Sequence, residues 1–345
     1  MKIFPGGGRH RLLRIAALAS MAVLLMPSAY TARAATSQAS AIKLFMLPKF
    51  TGIPPFTQAD QGAAQFAKTF GYHLDYGGPT TGSATEQVKF IDSSVARGYK
   101  GIFISADDPA VVTPALKRAQ QNGVTVVSYD SDVLPAGRSI YVEGTSAAFI
   151  AQVQLDMLGS QIGYKGDFVI LSAQATDSNQ VQWNKLLVQD LKKPKYSKMH
   201  LVTIINPPDD STPTAVKYAQ SALKQYPTIK GIIAPTTVAV AAAAQVVQQE
   251  KVCGKYVVTG LGDPKQMESY VKSGCVKQFA LWGFAREGQV AMCAMHALLT
   301  KSITGKTNDS FTCGKLGSFK VKAGGTVTAG PPTVFTNKNF KLYTF

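Results

Sequence analysis

Residues 101–132 read GIFISADDPAVVTPALKRAQQNGVTVVSYDSD. Gly101–Ser105 is a short apolar run, Pro109–Asn122 carries apolar residues at helical spacing, and Val124–Tyr129 is a second apolar run. A strand, a helix and a strand in that order form a βαβ unit. Strands without polar alternation belong to a parallel sheet covered on both faces. The second run stops at Ser128-Tyr129-Asp130-Ser131-Asp132, a polar cluster where a buried strand leaves its sheet.

The same alternation extends in both directions. Upstream lie an apolar run at Ile42–Leu47, a helical stretch at Thr57–Phe70, an extended segment at Tyr72–Tyr76 and a helix at Thr81–Arg97. Downstream, Ser139–Val142 reads as a strand and Ser146–Ile162 as a helix. A second series then runs through strands at Asp167–Ser172, Leu201–Ile205, Gly231–Ala234, Tyr256–Leu261 and Val276–Trp282. Its helices fall at Asn179–Lys192, Thr212–Gln225, Val238–Glu250 and Pro264–Lys272. Glu287–Leu299 closes the regular part, and a Gly/Thr-rich tail follows. Two sheets of similar size do not merge into one core, so the pattern predicts two doubly wound α/β lobes side by side.

The strands end in turn-forming or polar groups: Pro48-Lys49, Ser105 to Pro109, Asp130 to Asp132, Pro235-Thr236-Thr237 and Gly262-Asp263-Pro264. Ligands of open parallel sheets bind beyond the carboxyl ends of the strands. Facing lobes would aim these clusters into one cleft. Asp107, Asp108, Asp263 and Thr212 are equally read as caps of the helices that follow them.

Composition narrows the function. The chain has 345 residues, 46% hydrophobic and 16% charged, which excludes a disordered protein. Its formal net charge is +16. Lys2, Arg9, Arg11 and Arg14 precede the apolar run Ile15–Met26, and Ala32-Arg33-Ala34 follows as a small-x-small site. Residues 1–34 therefore read as a secretory signal peptide, with an apolar centre short of the roughly 20 residues that span a bilayer. Their removal leaves 31 Lys+Arg against 20 Asp+Glu over 311 residues, a net +11. The expected product is an exported, soluble protein, and no cysteine stands near the cut to carry a lipid. The basic cluster Lys192-Lys193-Pro194-Lys195, with Lys198, has no aromatic ladder beside it and reads as a solvated helix end, so no nucleic-acid partner is expected.

The chain lacks a phosphate loop, a dinucleotide fingerprint, an H-E-x-x-H helix and a G-x-S-x-G elbow, so no cofactor is expected. Of the histidines past the cleavage site, His73 lies in an alternating strand, His200 after a Lys-rich turn, and His296 among Met292, Cys293 and Met295; surface or core roles suit each. Asp130 and Asp132 could act as acid and base, which keeps an exported enzyme using this pair as a competing reading, although nothing else in the sequence supports glycoside hydrolysis. Cys253, Cys275, Cys293 and Cys313 have no zinc-ligand spacing. No metal site is expected, and four cysteines in an exported chain permit two disulfides in three connectivities.

The residues resemble one family closely. From about Ala41 to Phe345 the chain is similar to periplasmic sugar-binding proteins of the ribose-binding type (periplasmic binding protein type I), which serve ABC transporters. Leu47-Pro48-Lys49, Pro55-Phe56-Thr57, Gly77-Gly78-Pro79-Thr80, Ser128–Asp132, Ile233-Ala234-Pro235 and Thr333-Val334-Phe335-Thr336 resemble the rhamnose-binding and autoinducer-2-binding subfamilies alike. Asn179-Gln180 with Trp183, Pro235-Thr236-Thr237-Val238, Thr259-Gly260-Leu261-Gly262 and Gly314-Lys315-Leu316-Gly317 look like the rhamnose type. The autoinducer-2 type carries an acid at the place of Asn179 and a small alanine at that of Thr237.

The resemblance implies a monomeric, periplasmic, non-enzymatic binder that closes on a monosaccharide and delivers it to a membrane permease. Rhamnose is the implied ligand and autoinducer-2 the alternative. The implied contacts are Lys49, Asp130, Asn179, Gln180, the carbonyl of Pro235 and the hydroxyl of Thr237, with Phe56 and Trp282 covering the apolar sugar face. The two aromatics are equally readable as core residues. On this resemblance lobe one spans 41–141 plus 284–330 and lobe two 142–283 plus 331–345. Hinges are expected at Tyr141–Gly144, Trp282–Phe284 and Gly330–Thr333. Cys253–Cys275 within lobe two and Cys293–Cys313 within lobe one are the implied disulfides.

Overall fold

A computed structural model describes residues 41–343; the expected signal peptide lies outside the described residues. The elements run β1 (Lys43–Leu47), α1 (Pro54–Thr69), β2 (His73–Tyr76), α2 (Ala84–Ala96), β3 (Gly101–Ile104), α3 (Pro109–Gln121), β4 (Thr125–Tyr129) and β5 (Ile140–Glu143). They continue with α4 (Ala147–Ile162), β6 (Lys165–Leu171), α5 (Ser178–Asp190), β7 (Lys198–Ile205), α6 (Thr212–Gln225), β8 (Gly231–Ala234), α7 (Thr237–Gln249), β9 (Val257–Gly260), α8 (Pro264–Lys272) and β10 (Phe279–Leu281). The last are α9 (Phe284–Leu299), β11 (Ser310–Thr312), β12 (Ser318–Lys320), β13 (Thr326–Thr328) and β14 (Thr333–Phe335).

Six strands form one parallel sheet in the order β13-β5-β4-β3-β1-β2. Four form a second parallel sheet, β7-β6-β8-β9. The residue alternation of β1 shows why both faces are apolar. Leu44 and Met46 pack with Ala59, Ala63 and Met295 of α1 and α9, whereas Phe45 and Leu47 pack with Ile91, Val112 and Leu116 of α2 and α3. The second sheet does the same: Phe168 and Ile170 share a cluster with Leu155 and Leu187, and Val169 and Leu171 share another with Ala219, Ala243 and Val247. The chain leaves the first sheet for the second after β5, returns to pack α9 against β4 after β10, and leaves the first sheet again after β13 for β14, which pairs with β10.

Local chemistry sets the helix starts. Ser83 accepts from Glu86 N–H, Asp108 from Ala110 and Val111, Thr236 from Ala239, and Asp263 from Lys265 and Gln266. α1 begins at Pro54 rather than at Thr57, because Pro54-Pro55 suit the first helical positions. Two of the expected caps are corrected. Asp107 accepts from Ser83 N–H on another element, and Thr212 lies inside α6, after Ser211.

The tail differs most from expectation. It holds four strands of three residues each: β13 extends the first sheet beside β5, β14 pairs antiparallel with β10, and β11 and β12 form a hairpin. Segments this short carry no periodicity, and their partners are remote in sequence. The structure joins Cys253 to Cys275 and Cys293 to Cys313. At the expected basic cluster, Lys193 pairs with Asp190 at 2.7 Å and Lys195 with Asp156 at 2.5 Å. Among the described residues, no helix is long and apolar enough to cross a membrane.

Candidate functional site

The ends of β1, β4, β8 and β10 and the start of α5 converge on one cavity. The cavity they enclose is small, about 50 Å³, and is partly open to solvent. Lys49, Phe56, Asp130, Asn179, Gln180, Pro235, Thr237 and Trp282, the eight expected contacts, all line it. So do Phe50, Trp183, Asp210 and Phe284, which sequence reading did not assign to the site.

Backbone geometry fixes Asp130. It has φ 54°, in the left-handed region that Asp tolerates better than most residues. Its N–H donates to Glu287 Oε1 at 2.7 Å and its carbonyl accepts from Tyr141 Oη at 2.8 Å. The carboxylate, turned inward, accepts from Ser105 Oγ at 2.7 Å and from Asn179 Nδ2 at 3.2 Å. Asp132, two residues on, points elsewhere. Arg138 holds both of its oxygens, at 2.5 and 2.6 Å, so Asp130 and Asp132 do not form an acid–base pair.

At the end of β1, in the same sheet, Lys49 Nζ donates to Asp177 Oδ2 at 2.9 Å and Asn179 Oδ1 at 3.4 Å. Gln180 is braced from both ends: its Nε2 donates to Pro235 O at 2.9 Å and its Oε1 accepts from Ser172 Oγ at 3.0 Å. The carbonyl of Pro235, expected to face a ligand, thus already has a protein donor. Thr236 caps α7 and donates to Asp210 Oδ1 at 3.0 Å, leaving Thr237 on the cavity wall. Lys49 and the amides of Asn179 and Gln180 retain hydrogens beyond those used here, so the ring can donate as well as accept.

The aromatic side is a continuous surface. Trp183 and Trp282 meet edge to face at 5.7 Å, Trp282 lies 4.8 Å from Phe284, and Phe284 meets Phe56 at 6.5 Å. Phe56 and Trp282 are each 4% exposed and belong both to the core and to the cavity wall.

Electrostatics make the cavity acidic around one cation. Burial opposes the charge of Lys49, but the carboxylates of Asp177, Asp130 and Asp107 outweigh it and hold the ammonium above its ordinary range. Burial raises the carboxyl groups of Asp130 and Asp177, with Lys49 pulling the other way. Asp107 is pushed by burial up to about 7, and Asp210 likewise to about 7, with Asp177 adding to the effect. An anion would meet several carboxylates here, whereas a neutral polyol meets acceptors, donors and an apolar face. Among the described residues no three His, Cys, Asp or Glu side chains converge as metal ligands.

Comparison with known proteins agrees with this architecture. Residues 44–303 match the periplasmic binding protein domain. A sugar ABC transporter structure from Actinomyces odontolyticus is 34% identical, with 88% of this chain and 97% of that one covered at a TM-score of 0.72. An ABC transporter solute-binding protein from Clostridium phytofermentas, with bound L-rhamnose, is 30% identical, with 88% and 100% covered at a TM-score of 0.84. LsrB from Clostridium saccharobutylicum, in complex with AI-2, is 25% identical, with 88% and 100% covered at a TM-score of 0.82. Two parallel sheets with a cavity at their strand ends, and a family match over most of the chain, make this a member of the periplasmic binding protein family, whose members bind solutes and catalyse no reaction.

Proposed function

We propose that the chain is the solute-binding subunit of an ABC sugar importer and that it takes a monosaccharide, L-rhamnose, into the cavity. The observation that carries this reading is the pairing of a polar ring, Lys49, Asp130, Asn179 and Gln180, with the aromatic wall of Phe56, Trp183, Trp282 and Phe284. Charge-assisted bonds suit adjacent sugar hydroxyls, and aromatic faces suit the C–H side of a pyranose and a 6-methyl group. On this reading the sheets belong to two lobes, 41–141 plus 284–330 and 142–283 plus 331–345, that close on the sugar. Export by residues 1–34, action as a monomer in the periplasm and delivery to a permease follow from the same assignment.

A second reading is an autoinducer-2 receptor, favoured by the likeness to the AI-2 complex. Asn179 and Thr237 speak for the sugar, because a neutral amide is a weaker acceptor than the acid of that subfamily. A thermal-shift titration with L-rhamnose, other pentoses and hexoses, and autoinducer-2 tests both. At 100 times its dissociation constant a ligand stabilises the fold by about 2.7 kcal/mol. A shift with L-rhamnose alone supports the importer; a shift with autoinducer-2 alone replaces it with the receptor.

A further inference from the structure

The loop between β6 and α5 crosses to the first sheet outside the cavity. Thr176 Oγ1 donates to the carbonyl of Asp107 at 3.1 Å. Ser178 Oγ donates to the carbonyl of Asp132 at 2.9 Å and lies 3.1 Å from Ser131 Oγ. Between them, Asp177 Oδ2 accepts from Lys49 Nζ at 2.9 Å. Three consecutive residues of the second sheet's loop thus hold three strand ends of the first.

Asp177 is the unusual member. It occupies the N-cap position of α5, where an Asp side chain ordinarily accepts from the helix's first N–H groups, yet it makes no cap. Its side chain is 2% exposed, and Oδ1 is buried with no hydrogen-bond partner. The carboxylate forgoes the local bond and leaves one oxygen unsatisfied, both of which cost stability, in favour of an ion pair 128 residues away in sequence. Asp177 does not line the cavity, so direct ligand contact does not account for this.

We infer that Asp177, flanked by Thr176 and Ser178, is a latch that holds the two halves closed and thereby positions Lys49 toward the cavity. The residue acts through Lys49 and through closure, so it sets the residence time of any ligand without choosing among ligands. This inference rests on the proposed reading of a cleft that closes on a solute.

Trp183 and Trp282 are the two tryptophans of the chain and both line the cavity, so intrinsic fluorescence reports on it. Stopped-flow fluorescence of the mature protein and of Asp177→Asn, with each sugar that shifts the wild-type melting curve, measures association and dissociation. The expected result is a dissociation rate raised about tenfold to a hundredfold, an association rate within about threefold, and an unchanged order of preference among sugars. Ser178→Ala gives a smaller rise in the same direction. Equal dissociation rates overturn the latch, as does a changed order of preference, which would make Asp177 a ligand contact. Small-angle scattering of the ligand-free proteins separates this from the sugar assignment: the latch predicts a larger mean radius of gyration for Asp177→Asn, measured well below its melting temperature. If no sugar binds but the radii differ, the latch stands and the importer reading fails. If sugars bind and neither rates nor radii differ, the latch fails alone. If no sugar binds and the radii agree, both fail.

Discussion

Trp282 Nε1 donates to Glu287 Oε2 at 2.6 Å, and this bond ties the segment that crosses between the sheets to the first turn of α9. The other oxygen of Glu287 accepts the backbone N–H of Asp130 at 2.7 Å. One fully buried carboxylate therefore positions both the acidic and the aromatic side of the cavity. Glu287→Gln puts an amide NH₂ against one of these N–H donors. The expected loss is about 1–3 kcal/mol of folding stability, from one buried donor left without an acceptor, together with weaker ligand binding. Urea unfolding and fluorescence titration read the two effects; unchanged values in both would exclude a positioning role.

A second expectation concerns pH. Asp107 and Asp210 keep their protons up to about 7 in the fold, against an ordinary value of 3.8. The folded state therefore binds more protons than the unfolded chain between about pH 4 and 7. Stability contributed by these groups is present below that window and is lost as pH rises through it. Melting temperatures between about pH 4.5 and 8 should fall with a slope that Asp210→Asn reduces. A variant with the wild-type slope would show that Asp210 ionises normally.

The extent to which the sequence was readable follows physical lines. β1, β3, β4 and β8 are continuous buried runs, and their ends carry Lys49, Asp130 and Pro235, so the strands and these cavity-lining residues are legible together. Asp177 and Asp210 escaped because their context imitates ordinary capping and turn chemistry; only the partners Lys49 and Thr236, distant in sequence, distinguish them. Asp107 looked like a cap for the same reason, and its acceptor role toward Ser83 needs the fold to be seen. β13 and β14 escaped because three residues cannot establish a period.

The disulfides should separate by accessibility. Cys253 is exposed, whereas Cys293 and Cys313 are 2% and 0% exposed. Brief treatment of the folded protein with dithiothreitol and iodoacetamide should label Cys253 and Cys275 before the other pair, as read by peptide mass spectrometry. The buried bond links α9 to the tail across a sequence separation of 20. A Cys293→Ser/Cys313→Ser double variant should lose about 3 kcal/mol. Simultaneous labelling of all four thiols would mean that reduction follows global unfolding.

The last prediction turns on Gly144, which follows β5 where the chain leaves the first sheet. A Cβ at this position would overlap the indole ring of Trp282, with its Nε1, Cδ1 and Cε2 all in the way. The indole cannot retreat freely, because Glu287 holds its nitrogen and Phe284 lies 4.8 Å from its centre. Gly144→Ala must therefore break the Trp282–Glu287 bond or displace the backbone at the crossing. Either change costs about 1–3 kcal/mol, the scale of overpacking or of one lost buried bond. If the indole moves, it moves relative to Trp183, 5.7 Å away, and the tryptophan emission changes in the ligand-free protein. Ligand affinity should fall with it, since the aromatic wall is no longer continuous. A variant with wild-type emission, stability and affinity would mean that the crossing segment yields easily, and that the wall is held by Glu287 and Phe284 without the close approach at Gly144.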